Sequence, residues 1–184
     1  MARQAQTATA VLGALSVESM TGYEIRQVIA SVLGHFWHES FGQIYPCLTE
    51  LETDGHVRSS PGDRPRSVRY EITDAGRARL RDLLREAPVQ QPPRNGTLLR
   101  VFFGRALPPD DLSALLDAEE AGTRVRLAGY AAIRADLASQ AAHAEHSPYW
   151  LATLRAGELN AEAHLQWLRE TRAALTAPAI LPPS

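Results

Sequence analysis

The fold class this sequence predicts is mainly α-helical with one small β-hairpin, arranged as two units. Three observations carry that prediction. Apolar residues recur at helical spacing through most of the 184 residues. One interval, His56 to Ile72, alternates instead around the turn segment P-G-D-R-P-R. A third stretch, Ala87 to Gly96, holds three Pro, two Gln and an Asn-Gly pair without any period, and reads as a linker. The expected units are 1–86 and 98–175, joined by a linker over 87–97 and followed by a flexible Pro-rich tail, 176–184.

Each element has a local reason. Val11, Leu12 and Leu15 fall on one helical face, so Ala8 to Val17 is read as a first helix; no small-residue cleavage site follows to make it a signal peptide. Thr21 and Glu24 have capping-box spacing, and Ile25, Val28, Ile29, Val32 and Leu33 continue an apolar face that Gly34 can end. Ser40 and Gln43 repeat the box ahead of Ile44, Leu48 and Leu51, with Asp54-Gly55 as a stop; helix three is expected from about Phe41 to Asp54, irregular near Pro46. Strands His56–Ser60 and Val68–Ile72 form the hairpin. Thr73 can cap a helix from Asp74 to Glu86, with Leu80, Leu83 and Leu84 on one side.

Beyond the linker the pattern is all helix. Leu98 to Phe103 is a short apolar segment, and Pro108-Pro109-Asp110-Asp111 is a helix start, with acids near the positive end of the dipole. Leu116, Thr123, Tyr130 and Leu137 recur every seven residues in a long helix reaching about Gln140. A second, from about Pro148 to Leu175, carries Leu151, Leu154, Ala161, Leu165, Leu168 and Leu175. Two such helices predict an antiparallel, coiled-coil-like hairpin, with Gly157 and Ala161 leaving room for close approach.

Composition narrows the function. The 45% hydrophobic and 22% charged content suits one medium-sized soluble domain or two small ones. No apolar run approaches the roughly 20 residues of a membrane span, so no membrane partner is expected. One Cys excludes an internal disulfide framework and a Cys-built zinc site, and suits a reducing, cytoplasmic setting. The net charge of -2 gives by itself no hint of a nucleic-acid partner, and all 19 basic residues are Arg. The average conceals an asymmetry: between Gly55 and Arg85 eight Arg face four acids, +4, which leaves -6 elsewhere.

Three helices followed by a hairpin outline a winged helix-turn-helix, in which helix three enters the major groove and the hairpin tip meets backbone or minor groove. The residues add a resemblance. T-G-Y-E-I at 21–25, F-W-H-E-S-F-G-Q-I-Y-P-C-L-T-E-L-E-T-D-G-H-V at 36–57 and R-Y-E-I-T-D-A-G-R at 69–77 together resemble the signature of the PadR family of bacterial transcriptional regulators. The linker and long helical hairpin, including Y-W-L-A-T-L-R-A-G at 149–157 and Trp167, look like its larger subfamily. The resemblance implies a homodimer formed through the C-terminal helices. It also implies a repressor bound to double-stranded operator DNA and released by a small, often aromatic, effector. No cofactor is implied.

Candidate DNA-contacting residues are Tyr23, Ser40, Gly42, Gln43, Tyr45, Arg64, Arg66 and Arg69. A guanidinium can make two parallel hydrogen bonds to phosphate, so the wing arginines suit DNA; the alternative is a solvated turn. Gln43 either caps helix three or pairs with adenine, and Gly42 would let the backbone approach DNA closely. Tyr45 is a phosphate donor carried over from the family motif or simply a packed ring, and Tyr23 is a second candidate near exposed amides.

Trp37, Phe103 and Trp150 are core residues or walls of an effector pocket, with Phe102 and Trp167 as further candidates. Cys47 reads as a small buried hydrophobe, with a redox sensor as its alternative. The pairs His35/His38 and His143/His146 have metal-ligand spacing without a diagnostic carboxylate or Cys partner and read as structural, so no metal site is expected. There is no G-x-S-x-G, phosphate-binding glycine loop or H-E-x-x-H, so no enzyme is expected. The remaining alternative to a regulator is a helical dimerisation adaptor without sequence-specific DNA binding.

Overall fold

In the computed structural model the capping box at Thr21 and Glu24 forms: the Glu24 amide donates to Thr21 Oγ1 at 3.2 Å, and the Thr21 amide donates to Glu24 Oε2 at 2.7 Å. The structure describes residues 2–30, 41–88, 95–139 and 143–176. Val32, Leu33, Gly34, His35, Trp37, His38 and Ser40 therefore lie outside the described residues, as do Gln140, positions 89–94 of the linker and 177–184 of the expected tail. The chain divides into two units, Met1–Gln91 and Pro92–Ser184.

The first unit runs α1 (Ala2–Val17), β1 (Met20–Thr21), α2 (Gly22–Val28), a 3-10 turn (Phe41–Gln43), α3 (Ile44–Thr53), β2 (Val57–Pro61), β3 (Val68–Ile72) and α4 (Asp74–Arg85). Its apolar stripes meet in one core: Val11, Leu12 and Leu15 from α1, Ile25 and Ile29 around α2, Ile44, Cys47, Leu48 and Leu51 from α3, Val57 and Ile72 from the sheet, and Leu83 from α4. Each large side chain buried this way is worth about 1.5–3 kcal/mol. Cys47 thus takes the place of a small apolar group, as its position in the stripe predicts.

Several expectations need correction. The hairpin is part of a three-stranded antiparallel sheet of order β1-β3-β2, because the extended residues leading into α2 pair with the other edge of β3, Met20 opposite Tyr70 and Thr21 opposite Arg69. α1 begins six residues earlier than the apolar pattern shows, at Ala2, since its first turns rest on small and polar residues. Helix three opens as a 3-10 turn and becomes α-helical only at Ile44. Pro46 explains this: its ring would clash with the carbonyl four residues back, at Gly42, if the α-helix began sooner, whereas in the first turn of α3 its missing amide is not needed. Leu84 is exposed, because the buried side of α4 runs along Gly76, Leu80 and Leu83 and places Leu84 at its rim. Asp54 caps α3 and Gly55 follows at φ +73°, the left-handed conformation glycine adopts without strain.

The second unit runs α5 (Gly96–Phe102), a 3-10 turn (Gly104–Ala106), α6 (Pro109–Ser139) and α7 (Ser147–Thr176). Asn95 and Gly96, expected in the linker, start α5 instead: Asn95 Oδ1 accepts from the amides of Thr97 and Leu98, both at 3.0 Å. α6 and α7 pack as the predicted hairpin. The buried residues of α6 are the heptad Leu116, Thr123, Tyr130 and Leu137, and Leu154, Ala161 and Leu168 of α7 answer them at the same interval. Leu175, expected in that stripe, is exposed in the last turn of α7. Thr123 is fully buried because its hydroxyl donates to the Glu119 carbonyl at 2.8 Å, one turn back. Polar ties flank the seam. Arg134 bonds Glu158 through both Nε (3.0 Å) and Nη2 (2.7 Å), and Arg172 reaches Asp117 (2.6 Å) and Glu120 (3.1 Å). Among the described residues no helix is long and apolar enough to cross a membrane, and no group of three metal-ligating side chains occurs.

Candidate nucleic-acid interface

The candidate site lies where the start of α2, the start of α3 and the β2–β3 loop converge on a groove of about 580 Å³. Gly22 allows the convergence. A Cβ there would stand 2.6 Å from Tyr45 Cε1, so the absent side chain lets the Tyr45 ring lie against the first turn of α2. Tyr45 is nonetheless 54% exposed, which joins the two alternatives drawn from the sequence: the ring is packed and the residue still faces the groove. Gly42 and Gln43 are exposed just ahead of it. Gln43 stands at the N-cap position of α3, where its side chain makes no cap hydrogen bond, and the capping box expected with Ser40 falls outside the described residues. Tyr23 is exposed and its hydroxyl accepts from Gln27 Nε2 at 3.1 Å.

The wing tip is a closed turn. The Gly62 amide donates to the Ser67 carbonyl (2.9 Å), the Ser67 amide to the Arg64 carbonyl (3.0 Å), and the Ser67 hydroxyl to the same carbonyl (2.8 Å). Pro65 and Arg66 occupy the centre of that turn, and Arg66 has φ +66°. A left-handed residue after Pro is the geometry of a type II turn, where glycine or asparagine is usual; an arginine held there costs on the order of 1 kcal/mol. The side chains of Arg64 and Arg66 have no ion pair or hydrogen-bond partner among the described residues, so both charges are available to a ligand.

The other arginines of the basic segment are largely occupied. Arg58 pairs with Glu71 across β2 and β3 at 2.8 Å, Arg85 with Asp82 at 3.0 Å and Arg79 with Glu86 at 3.8 Å, while Arg77 donates to the Ser16 carbonyl at 3.3 Å. Arg69, placed with the wing arginines by the sequence, also lines the groove but is partly buried and held by other parts of the chain. Its Nη1 donates to the Ser19 carbonyl at 2.6 Å and its Nη2 to Asp63 Oδ2 at 3.2 Å, with Glu24 Oε2 at 3.6 Å. Of the charges counted along the segment, those of Arg64 and Arg66 stand at the tip, while Arg81 on α4 also has no ion-pair or hydrogen-bond partner among the described residues. Glu24 is held below the usual carboxylate range, first by the Thr21 amide it accepts from and then by the Thr21 hydroxyl and the Arg69 and Arg64 charges. The Tyr70 hydroxyl is pushed up, mainly by burial and then by Glu52 and Tyr45.

The aromatic candidates of the second unit separate. Phe103 is exposed and meets Phe102 edge to face at 4.9 Å between centroids. Trp150 is half-buried, stacked on His146 at 5.4 Å and tilted against His143 at 5.7 Å, so the histidine pair serves as ring packing. No ring contact joins Phe103 to Trp150 among the described residues, and Trp37 lies outside them. Sequence reasoning missed a polar cluster on α5–α7: the Thr97 hydroxyl donates to Glu119 Oε1 at 2.6 Å, and His164 Nε2 lies 3.4 Å from Glu119 Oε2, stacked on Trp167. These residues are 22 and 45 positions apart, and no local pattern links them. Glu119 is held low, first by the Thr97 bond and then by His164 and Arg126.

Fold and interface together define a winged helix-turn-helix protein with a C-terminal helical hairpin. Residues 11–82 match the family described as transcriptional regulator PadR-like, and residues 93–176 match the virulence activator alpha C-terminal domain. The N-terminal unit thus carries a PadR-like domain. It is 30% identical over 110 residues to the negative transcriptional regulator PadR of Bacillus subtilis (strain 168), a match covering 58% of this chain and 60% of that relative's length. The PadR-like transcriptional regulator BC1756 from Bacillus cereus superposes with a TM-score of 0.76 at 24% identity, covering 91% of this chain and 99% of its own. Bacillus subtilis PadR in complex with operator DNA gives the same TM-score and identity, over 91% and 97%, and that protein has also been crystallised with p-coumaric acid. At this identity the structural likenesses establish the fold.

Proposed function

We propose that this chain is a DNA-binding transcriptional regulator, a cytoplasmic homodimeric repressor that a small aromatic molecule releases from double-stranded operator DNA. One observation carries the reading: Tyr45 at the start of α3 opens onto the same groove as Arg64 and Arg66, the two wing cations without partners. In this reading α3 enters the major groove, with Gln43 reading base edges and Gly42 admitting the backbone, while Tyr45 and the wing hold phosphates on either side. Tyr23, which lines the groove, and Ser40 add phosphate contacts in this reading. The long helices α6 and α7 pair with those of a second copy, spacing two recognition elements about one helical turn, 34–36 Å, apart. The name of the Bacillus subtilis relative supports repression, and the complex of that protein with operator DNA supports the docking face. Its p-coumaric acid complex supports an aromatic effector, and Phe103 and Trp150 are each proposed as a contact for it. The effector acts by binding a dimer whose spacing does not match the operator, shifting the population away from DNA.

Selection from a random-sequence duplex pool tests the reading. Enrichment of one pseudopalindromic site, bound with steep salt dependence, is the expected result. A protein that enriches nothing, or binds every duplex alike, overturns it.

A further inference from the structure

We propose that Arg69 is a positioning residue for DNA binding that does not itself touch DNA: it braces the wing loop against the segment entering α2. The proposal rests on the DNA-binding reading above and assigns one of its arginines a different task. Arg69 sits on β3, the central strand, opposite Thr21 of β1 on one side and Ser60 of β2 on the other. From there its guanidinium joins three separate pieces of chain: the Ser19 carbonyl ahead of β1, Asp63 in the wing loop, and Glu24 in the first turn of α2. Both terminal nitrogens are engaged, and the side chain is only 28% exposed.

The loop it holds is stiff. The hydrogen bonds that close Gly62 to Ser67 and Arg64 to Ser67 make the tip move as one body, so a hold on Asp63 sets the direction of the whole tip. Arg64 and Arg66 project from that tip, and Tyr45 is anchored on Gly22, one residue after the strand that pairs with Arg69. The brace therefore fixes the separation between the phosphate contacts of the wing and those of α3. An acid at the wing tip would otherwise be unwelcome beside phosphates; as the Arg69 partner, Asp63 has a reason to be there.

Arg69→Lys tests this at constant charge, since an ammonium lacks the planar fork that spans Ser19 and Asp63 together. The probe is a labelled duplex of about 30 base pairs, three helical turns, taken from the selection above. The expected result is binding weaker by about tenfold, because the wing contacts are no longer held in place before DNA arrives. The slope of affinity against salt stays unchanged and the amides of residues 62–67 gain mobility in free protein by nitrogen-15 relaxation. Loss of affinity with a shallower slope would make Arg69 a phosphate contact, and wild-type affinity would leave it no role; either overturns the proposal. Asp63→Asn, a change at an 88% exposed side chain that folding tolerates, is expected to mobilise the same amides. An unchanged loop in that variant also overturns the brace. If selection enriches no duplex, the regulator reading fails and the loop mobility alone decides the brace.

Discussion

Gly76→Ala is expected to reverse the usual sign of a glycine replacement within a helix. Gly76 is the third residue of α4, and in most helices alanine is favoured over glycine by about 1 kcal/mol. Here a Cβ would overlap the His56 carbonyl oxygen and stand 2.8 Å from Ile72 Cγ1 and 3.0 Å from the His56 carbonyl carbon. A carbon–oxygen contact normally settles near 3.3 Å, so α4 must move away from the sheet by roughly 1 Å. The oxygen cannot swing aside, because it belongs to the backbone entering β2 and accepts from both the Thr73 amide (3.0 Å) and the Thr73 hydroxyl (3.1 Å). Overpacking with loss of part of the Thr73 cap costs about 2–4 kcal/mol net. For a unit of this size that lowers Tm by about 10–25 °C. Thermal unfolding followed by far-ultraviolet circular dichroism measures it, with Gly13→Ala as the matched control. Nothing lies within 4 Å of a Cβ at Gly13 in α1, so that change is expected to hold or raise Tm. A Gly76→Ala protein as stable as wild type would refute the close packing of α4 on the hairpin, and with it the support of the wing.

Further outcomes can be checked on the same protein. Arg64→Ala with Arg66→Ala is expected to weaken binding to every duplex and to reduce the salt slope by up to about two, one phosphate per arginine, as measured by fluorescence anisotropy across salt. Gln43→Ala is expected to leave that slope intact and relax preference at one base pair of each half-site, with discrimination falling by about 1–3 kcal/mol in competition against single-base variants. In acid, stability is expected to fall: the carboxyls of Glu119, Glu120 and Glu158 are each held below 4.5, by bonds from Thr97, Arg124 and Arg134 respectively. Groups depressed in this way stabilise the fold fully above 4.5, and that contribution is lost as pH falls through their folded values. Urea midpoints taken from neutral pH downward check it, and Glu158→Gln is expected to flatten the decline.

Much of this protein could be read from neighbours in sequence. Thr21/Glu24 and Thr73 are caps whose partners lie three residues away, so spacing alone finds them. The heptad on α6 named its four buried residues because a helix facing one partner repeats its contact every seven positions. The apolar stripes of α2 and α3 pointed to the core for the same reason. What stayed hidden involves pairs far apart. Gly22 beside Tyr45 looks like any helix-start glycine until the ring is seen against it. The strand at Met20–Thr21 is too short to alternate, and its existence depends on β3 offering an edge. Leu84 and Leu175 were placed inside by periodicity, yet one sits at the rim of its stripe and the other near a helix end.

By itself the sequence determined the element types, the caps, the heptad seam and the presence of a basic hairpin after a glycine-bounded helix, because each depends on residues within one or two turns of each other. Only the tertiary structure decided which charges are available. Eight arginines along a segment are equivalent in a count, but contacts that span up to 61 residues commit Arg58, Arg69, Arg77, Arg79 and Arg85 to carboxylates or carbonyls, and leave Arg64 and Arg66 at the tip and Arg81 on α4 without such partners among the described residues. A guanidinium's role depends on which acceptor reaches it first, and that is a property of the folded chain.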